Sequence, residues 1–441
     1  MMLMILFKDA LIFTFDENKP FKSGNILVKG DVIEHIYFED KKINGYKEIN
    51  CSGTVALPGF VDAHTHLIQS FGRGLMENMS LTQWLEHIWQ YSLDPESSYY
   101  STLLGAIEAI RTGTTTVCEM ITECTAPDKV VQAIKNSYLR GVVSLAVSDF
   151  QEGEHTPLVS TDKAAERTKS FIEKYHNSSE GRITTKISPV GLPAVTIELL
   201  KISKSLADRY NVGLHLHACE GKIQTERSKE RFKKSEIEVL YENGILQENT
   251  QLAHVIWVTK EDMLLLSKTK TSVVQCPSSN IKLIDGITPI SDMMDIGINV
   301  ALGCDGAASS SSYDMLIEGR LSSFLQKLDK QNADALSPMQ VMKMLTINGA
   351  KAANLKNVGI IKPGWKADIV FIDIDQPHIY SPNPNALLAN IIFSAKGSDV
   401  KMTVINGNIV YKDGEFLLFD AKEIFRRGEE LLEKTTNKSS F

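Results

Sequence analysis

Six residues in this chain combine a type and a spacing that could do chemistry: His64, His66, His217, Glu220, His254 and Asp305. His64 and His66 are separated by one residue in the apolar run GFVDAHTH (59–66). Positions i and i+2 of a β-strand share a face, so both imidazoles point the same way. His217 closes another apolar run, VGLHLHAC (212–219), and Glu220 follows it by three residues. His254 lies in TQLAHVIWV (250–258), and Asp305 follows Leu302-Gly303-Cys304. Neutral imidazoles from His64, His66 and His217 plus the Asp305 carboxylate make a three-nitrogen, one-oxygen shell. Such a shell suits one divalent metal, zinc first with iron or manganese as alternatives, and leaves room for a water. The cation lowers the pKa of that water toward ~7 and so yields hydroxide at neutral pH. Glu220 is placed to take the water proton and pass it on, as general base and then acid. His254 is placed to hydrogen-bond the attacking oxygen or the developing oxyanion. Asp305 would also orient the hydroxide and help protonate the departing group.

Each residue alone has a plainer reading. A single His-x-His on a strand is usually structural, and an aspartate after Gly-Cys is more often a turn or N-cap residue. His254 alone reads as a satisfied core histidine. The metal reading is carried by matching ligand types on four separate strand ends. His35, His87, His155, His176 and His378 lie outside the pattern and receive no role.

The elements that must bring these residues together are legible as eight short apolar runs, each followed by a helical pattern. They are residues 59–66, 114–120, 142–149, 184–191, 212–219, 250–258, 272–279 and 299–306. Segments with helical spacing, such as 98–113, 196–210 and 337–354, lie between or after them. Eight βα units predict an α/β fold, a (β/α)8 TIM barrel, whose strand ends converge on the face where barrel active sites lie. A doubly wound sheet is the alternative, but the Gly-rich turn that often follows its first strand is missing. Both chain ends read as β: DALIFTFD and GNILVKGDVIEHIYF at one, KADIVFIDID and VKMTVINGNIVYKDGEF at the other, the last with a hairpin-type Asn406-Gly407. The expected division is 1–57 and 357–441 as two parts of a small composite β-sandwich, the second with a C-terminal helix, around a barrel at 58–356.

The remaining composition mainly excludes. The 441 residues carry a net charge of −7 with no basic stripe, so nucleic acid is not an expected partner. No apolar run approaches the ~20 residues that span a bilayer. The opening MMLMILFKDALIF lacks a basic leader and is interrupted by Lys8-Asp9, so it reads as a buried strand, and the cytoplasm is the expected compartment. Six scattered cysteines without a CxxC pair read as reduced, buried thiols. Cys219 and Cys304, which flank the ligands, read as spacers facing away. The expected partner is a small heterocyclic molecule, and homo-oligomer formation stays open.

The stretch Pro58-Gly59-Phe60-Val61-Asp62-Ala63-His64-Thr65-His66 resembles the signature of the amidohydrolase superfamily. Together with His217-x-x-Glu220, Ala253-His254, Leu302-Gly303-Cys304-Asp305-Gly306 and the late Gly364-Trp365-Lys366-Ala367-Asp368-Ile369-Val370, it resembles the cytosine-deaminase-like, triazine-hydrolase branch over nearly the whole chain. The resemblance implies one catalytic metal. Relatives with two metals use a carboxylated lysine at the end of strand four; Lys186 lies on that strand but several residues before its end, and reads as a strand lysine on the helix-facing or lower side. The implied activity is hydrolytic deamination of an aminated nitrogen heterocycle.

Candidate substrate contacts are Gln69 and Trp84, with Glu119, Glu123 and Ser309 as weaker ones. Relatives that deaminate methylthioadenosine or adenosylhomocysteine carry Gly-Pro-His-Ser-Pro at strand four. This chain has Ser188-Pro189-Val190-Gly191-Leu192-Pro193, and Glu96 is out of step with their ribose-binding glutamate. These departures favour a compact aminopurine, pterin or triazine. An adenine nucleoside, a triazine chloride or a cyclic amide remain alternative substrates, and a metal-free scaffold of the same fold is the non-enzyme alternative.

Overall fold

The computed structural model describes residues 4–39, 45–122, 126–150 and 159–436. Glu123, Cys124, His155 and the polar tail after Thr436 lie outside the described residues.

At the amino end lie β1 (Met4–Phe13), β2 (Phe21–Lys29), β3 (Val32–Tyr37), β4 (Lys47–Asn50) and β5 (Thr54–Pro58); at the carboxyl end lie β16 (Ile369–Asp373), β17 (Val400–Ile405), β18 (Asn408–Lys412) and β19 (Glu415–Phe416). These nine strands form one sheet, and its seam is the antiparallel pair β5–β16, with Leu57 opposite Val370. Lys8-Asp9, the polar break in the opening run, is a bulge: pairing with β2 slips between Phe7 and Ala10, and Asp9 has φ 61°. At the other end Asn406 and Gly407 have φ 51° and 77°, the two positive values a tight hairpin requires. The sheet encloses its own apolar core, including Ile5, Phe7, Ile26, Ile33, Phe371 and Val404. It also bends back on itself, because Ile33 N donates to Trp365 O (2.8 Å) and Ala367 N to Asp31 O (2.9 Å).

The middle of the chain supplies parallel strands β6 (Phe60–His66), β7 (Thr114–Ile121), β8 (Arg140–Val147), β9 (Ile183–Thr185) with β10 (Ser188–Pro189), β11 (Leu214–Ala218), β12 (Thr250–His254), β13 (Ser272–Gln275), and β14 (Val300–Leu302) with β15 (Asp305–Gly306). Pairing runs β6–β7–β8–β9/β10 and β11–β12–β13–β14. Bridges Ile187–Leu214 and Gly191–His217 join the two sets, and β15 pairs with β6. The ring closes as a TIM-barrel-type fold, with strands four and eight each broken once. The break in strand eight has a local cause. A Cβ on Gly303 would lie 2.6 Å from His64 O, so only glycine lets the two strands approach there.

One sequence expectation is corrected in detail. The helical run 337–354 is two helices, Pro338–Leu345 and Ile347–Ala352, divided at Thr346, whose hydroxyl donates back to Met342 O (2.6 Å). The second helix closes the barrel floor: Ala352 packs with Ala63, Val274 and Ala301.

Candidate active site

The four expected metal ligands come together at the carboxyl ends of the barrel strands. One ligand atom each from His64, His66 and His217 lies within 4.8 Å of the others. Asp305 Oδ1 is 3.4 Å from Nε2 of both His64 and His66. Outer contacts fix which nitrogen faces inward. His66 Nδ1 donates to Met120 O (2.7 Å) and His217 Nδ1 to Val190 O (2.9 Å). A carbonyl only accepts, so both rings carry their proton on Nδ1 and present a bare Nε2. Burial, then the neighbouring His64, holds His66 down to about 4, and the same causes hold His217 well below the usual imidazole range. Neutral imidazoles are what a cation needs. His64 Nε2 is buried with no hydrogen-bond partner among the described residues, an orphan that a cation would satisfy.

Asp305 is held from both sides. Ser279 and Ser309 hydroxyls donate to its Oδ2 (2.7 and 2.8 Å). Burial alone would raise its carboxyl, but the His64 contact and the surrounding histidines hold it well below the usual range. Asp305 and His254 have φ of 60° and 71°, and Val255, β-branched, has 49°. Such left-handed positions cost about 1–3 kcal/mol each and cluster at functional sites. The residues therefore fit a divalent cation.

Glu220 and His254 stand beside this set. Glu220 Oε1 is 3.5 Å from His254 Nε2. Burial first, then repulsion from Asp285, Asp305 and Glu236, pushes the Glu220 carboxyl well above its ordinary value. Burial holds His254 down to about 3, and Asn280 Nδ2 donates to its Nδ1 (2.8 Å).

A cavity of about 450 Å³ opens above these groups and is lined by His66, His217, Glu220, His254 and Asp305. Gln69 and Trp84 line it, each with a buried polar atom, Oε1 and Nε1, lacking a partner among the described residues. A Cβ on Gly306 would lie 1.7 Å from Gln69 Oε1, so any larger residue there would displace the Gln69 amide.

Two expected substrate contacts are corrected. Glu119 is fully buried and does not border the cavity; its Oε2 accepts from Leu67 N (2.9 Å), so it ties the turn after His66 to β7. Ser309 touches the Asp305 carboxylate and Gly306 O, not the cavity. Cys304 faces away as expected, its Sγ against Met315 Sδ (3.3 Å), whereas Cys219 borders the cavity. Lys186 lies on the lower side of the barrel, one of its two expected positions: its Nζ donates to Gln251 Oε1 (2.7 Å) and to Ala352 O, the end of the helix that closes the floor. Burial pulls its amine down to about 7.

Sequence reasoning missed several groups. His215 Nε2 is 2.8 Å from His64 Nδ1, and its signal was present, since His215-x-His217 repeats the spacing of His64-x-His66. Asn280 and Ser279 gave no signal, because only the fold brings them to His254 and Asp305. Cys276 joins His64 and His254 in a second possible ligand group. Glu86 and Arg227 are exposed residues that line the cavity rim.

The sequence profile of the Amidohydrolase family matches residues 55–410. A 5-methylthioadenosine/S-adenosylhomocysteine deaminase of Halothermothrix orenii is 33% identical over 97% of this chain and 98% of its own length. A 5'-deoxyadenosine deaminase of Methanobrevibacter smithii is 33% identical over 98% of both chains. Among solved structures, the atrazine chlorohydrolase of Arthrobacter aurescens complexed with zinc superposes with a TM-score of 0.91 at 21% identity, covering 97% of this chain and 100% of that one.

Proposed function

The chain belongs to the amidohydrolase family, and from that premise we propose that it is a metal-dependent aminohydrolase that removes an amino group from a nitrogen heterocycle. The observation that carries this reading is the convergence of His64, His66, His217 and Asp305, from separate strands, around the orphaned Nε2 of His64. His64, His66 and His217 would hold the cation through nitrogen and Asp305 through Oδ1. Zinc is the metal of choice, on the nitrogen-rich donor set and on the zinc in the superposed chlorohydrolase.

When bound, the cation supplies a nucleophilic water at neutral pH. Glu220, beside His254 and open to the cavity, takes the proton of that water and returns it to a ring nitrogen of the substrate. Its raised proton affinity suits the second half of that task. His254, whose Nδ1 is occupied by Asn280, carries its proton on Nε2 and donates it to the oxygen that develops charge. Asp305 orients the attacking water and assists the departing amine. Gln69 and Trp84 hold the ring.

Within this class the relatives favour an adenine nucleoside over the bare ring that the strand-four departures suggested. The cavity is also lined by the polar groups Glu86, Gln224 and Arg227. Glu96 is not the missing ribose contact, because it pairs with Arg427. The barrel is assigned to residues 58–356 and the sheet of the two ends to a β-sandwich of 1–57 and 357–441, in a protein of the cytoplasm.

The test is ammonia release by metal-loaded protein over adenine nucleosides, aminopurines, pterins and triazines. Release from at least one class is expected. Hydrolysis of cyclic amides without ammonia, or turnover of none of the panel, overturns the reading.

A further inference from the structure

His215 has no part in the chemistry above, yet it is fully buried one inward position before His217 on β11. The three converging histidines are not held alike. His66 and His217 face carbonyls, which leave each ring a single tautomer. His64 has no carbonyl; its Nδ1 meets another imidazole, His215 Nε2, at 2.8 Å. An imidazole nitrogen either donates or accepts, so this contact admits two arrangements. In one, His64 donates from Nδ1 and turns a bare Nε2 inward. In the other, His64 accepts and turns an N–H inward, where it cannot ligate.

We infer that His215 is the positioning residue of the metal site: by accepting the Nδ1 proton of His64 it fixes the one tautomer in which His64 Nε2 is a ligand. The inference rests on the metal reading above. Two further observations support it. His64 Nε2 is the nitrogen near Asp305, and it is the one left without a protein partner. The strand carrying His64 is also fixed from the floor, since Gln251 Nε2 donates to Ala63 O (2.6 Å) while its Oε1 accepts from Lys186. Backbone position is thereby set independently, and what remains for His215 is the proton. Its own proton then sits on Nδ1, a buried atom without a partner among the described residues. This unsatisfied donor is the cost of the arrangement.

The experiment is zinc affinity, measured by chelator competition, for the wild type, His215→Gln and His215→Leu. A glutamine carbonyl can accept the His64 proton; leucine fills space but accepts nothing. Outer contacts to metal-binding histidines are typically worth 10–100-fold in affinity. His215→Leu should therefore lose about 10–100-fold, with His215→Gln within a few-fold of wild type. Equal affinities in all three proteins overturn the role of His215 while leaving the metal site intact. A wild type that binds no metal overturns the reading beneath it instead. Selective 15N-histidine labelling reads the unmodified zinc-loaded protein directly, should His215→Leu fail to fold. A 15N–15N coupling across the His64–His215 hydrogen bond is expected, and its absence counts against the proposal.

Discussion

Asn280 Nδ2 stands 2.8 Å from His254 Nδ1, on the side of the ring away from Glu220. An amide nitrogen can only donate, so the lone pair of His254 is spent on Asn280 and its proton faces the cavity. The side chain that orients the catalytic imidazole is thus 26 positions away in sequence. Asn280→Ala should lower kcat about 10-fold or more while bound metal is unchanged, because loss of one donor to a developing oxyanion costs up to 10²–10³. Steady-state kinetics with elemental analysis checks this; an unaltered kcat would remove Asn280 from the account.

Glu220 is the residue proposed to carry the proton traffic. Glu220→Gln keeps shape and loses the base, so one metal ion per chain should remain while kcat falls on the order of 10²–10⁴. Single-turnover kinetics on the zinc-loaded variant is the check, and wild-type turnover would contradict the assignment.

Asp285, whose charge acts on Glu220, is 4% exposed, with a carboxylate oxygen lacking a partner among the described residues. Burial, then repulsion from Asp305, pushes it up to about 8 from 3.8. A carboxyl raised in the folded state stabilises the fold most below pH 3.8 and loses that advantage as pH rises toward about 8. Asp285→Asn should therefore raise Tm at pH 8 relative to wild type, and the gain should vanish near pH 4. The same substitution relieves repulsion on Glu220, so the acid limb of kcat/KM should move to lower pH. Thermal unfolding and a pH–rate profile measure both, and an upward shift of the limb would contradict the sign.

Arg140 on β8 makes a bidentate pair with Asp368, the residue before β16, at 2.7 and 3.2 Å, with both side chains at 4% exposure or less. Asn406 accepts from the same guanidinium. The pair fastens the barrel to the sheet of the chain ends. Asp368→Asn leaves a buried cation uncompensated and should cost about 3–5 kcal/mol. Denaturant unfolding tests this, and a loss under about 1 kcal/mol would place the pair among weak surface bridges.

Gln69 and Trp84, which line the cavity, are proposed to meet the ligand and not the metal. Gln69→Ala should raise KM up to about 10-fold, the worth of one hydrogen bond, with metal content unchanged. An unaltered KM would leave Gln69 as a wall residue only.

The convergence of His64, His66, His217 and Asp305 was legible in the sequence because barrel topology brings the carboxyl ends of the strands to one face. Asn406-Gly407 was legible for a local reason, as the pair favours the positive φ values of a tight hairpin. Glu119 and Ser309 misled because sequence fixes the strand end but not which side of it a side chain leaves. Glu119 turned back to the amides after His66, and Ser309 down onto Asp305. Asn280, Ser279 and Asp285 stayed hidden because contacts across loops depend on how far each loop folds over the barrel mouth.

The central claim is that His64, His66, His217 and Asp305 together hold one cation. X-ray absorption at the zinc edge of the zinc-loaded protein tests it most directly. The expected first shell holds three nitrogens at ~2.0–2.1 Å, oxygen from carboxylate and water, and no sulfur. A scatterer at ~2.3 Å would put Cys276 in the shell and contradict the proposed ligand set.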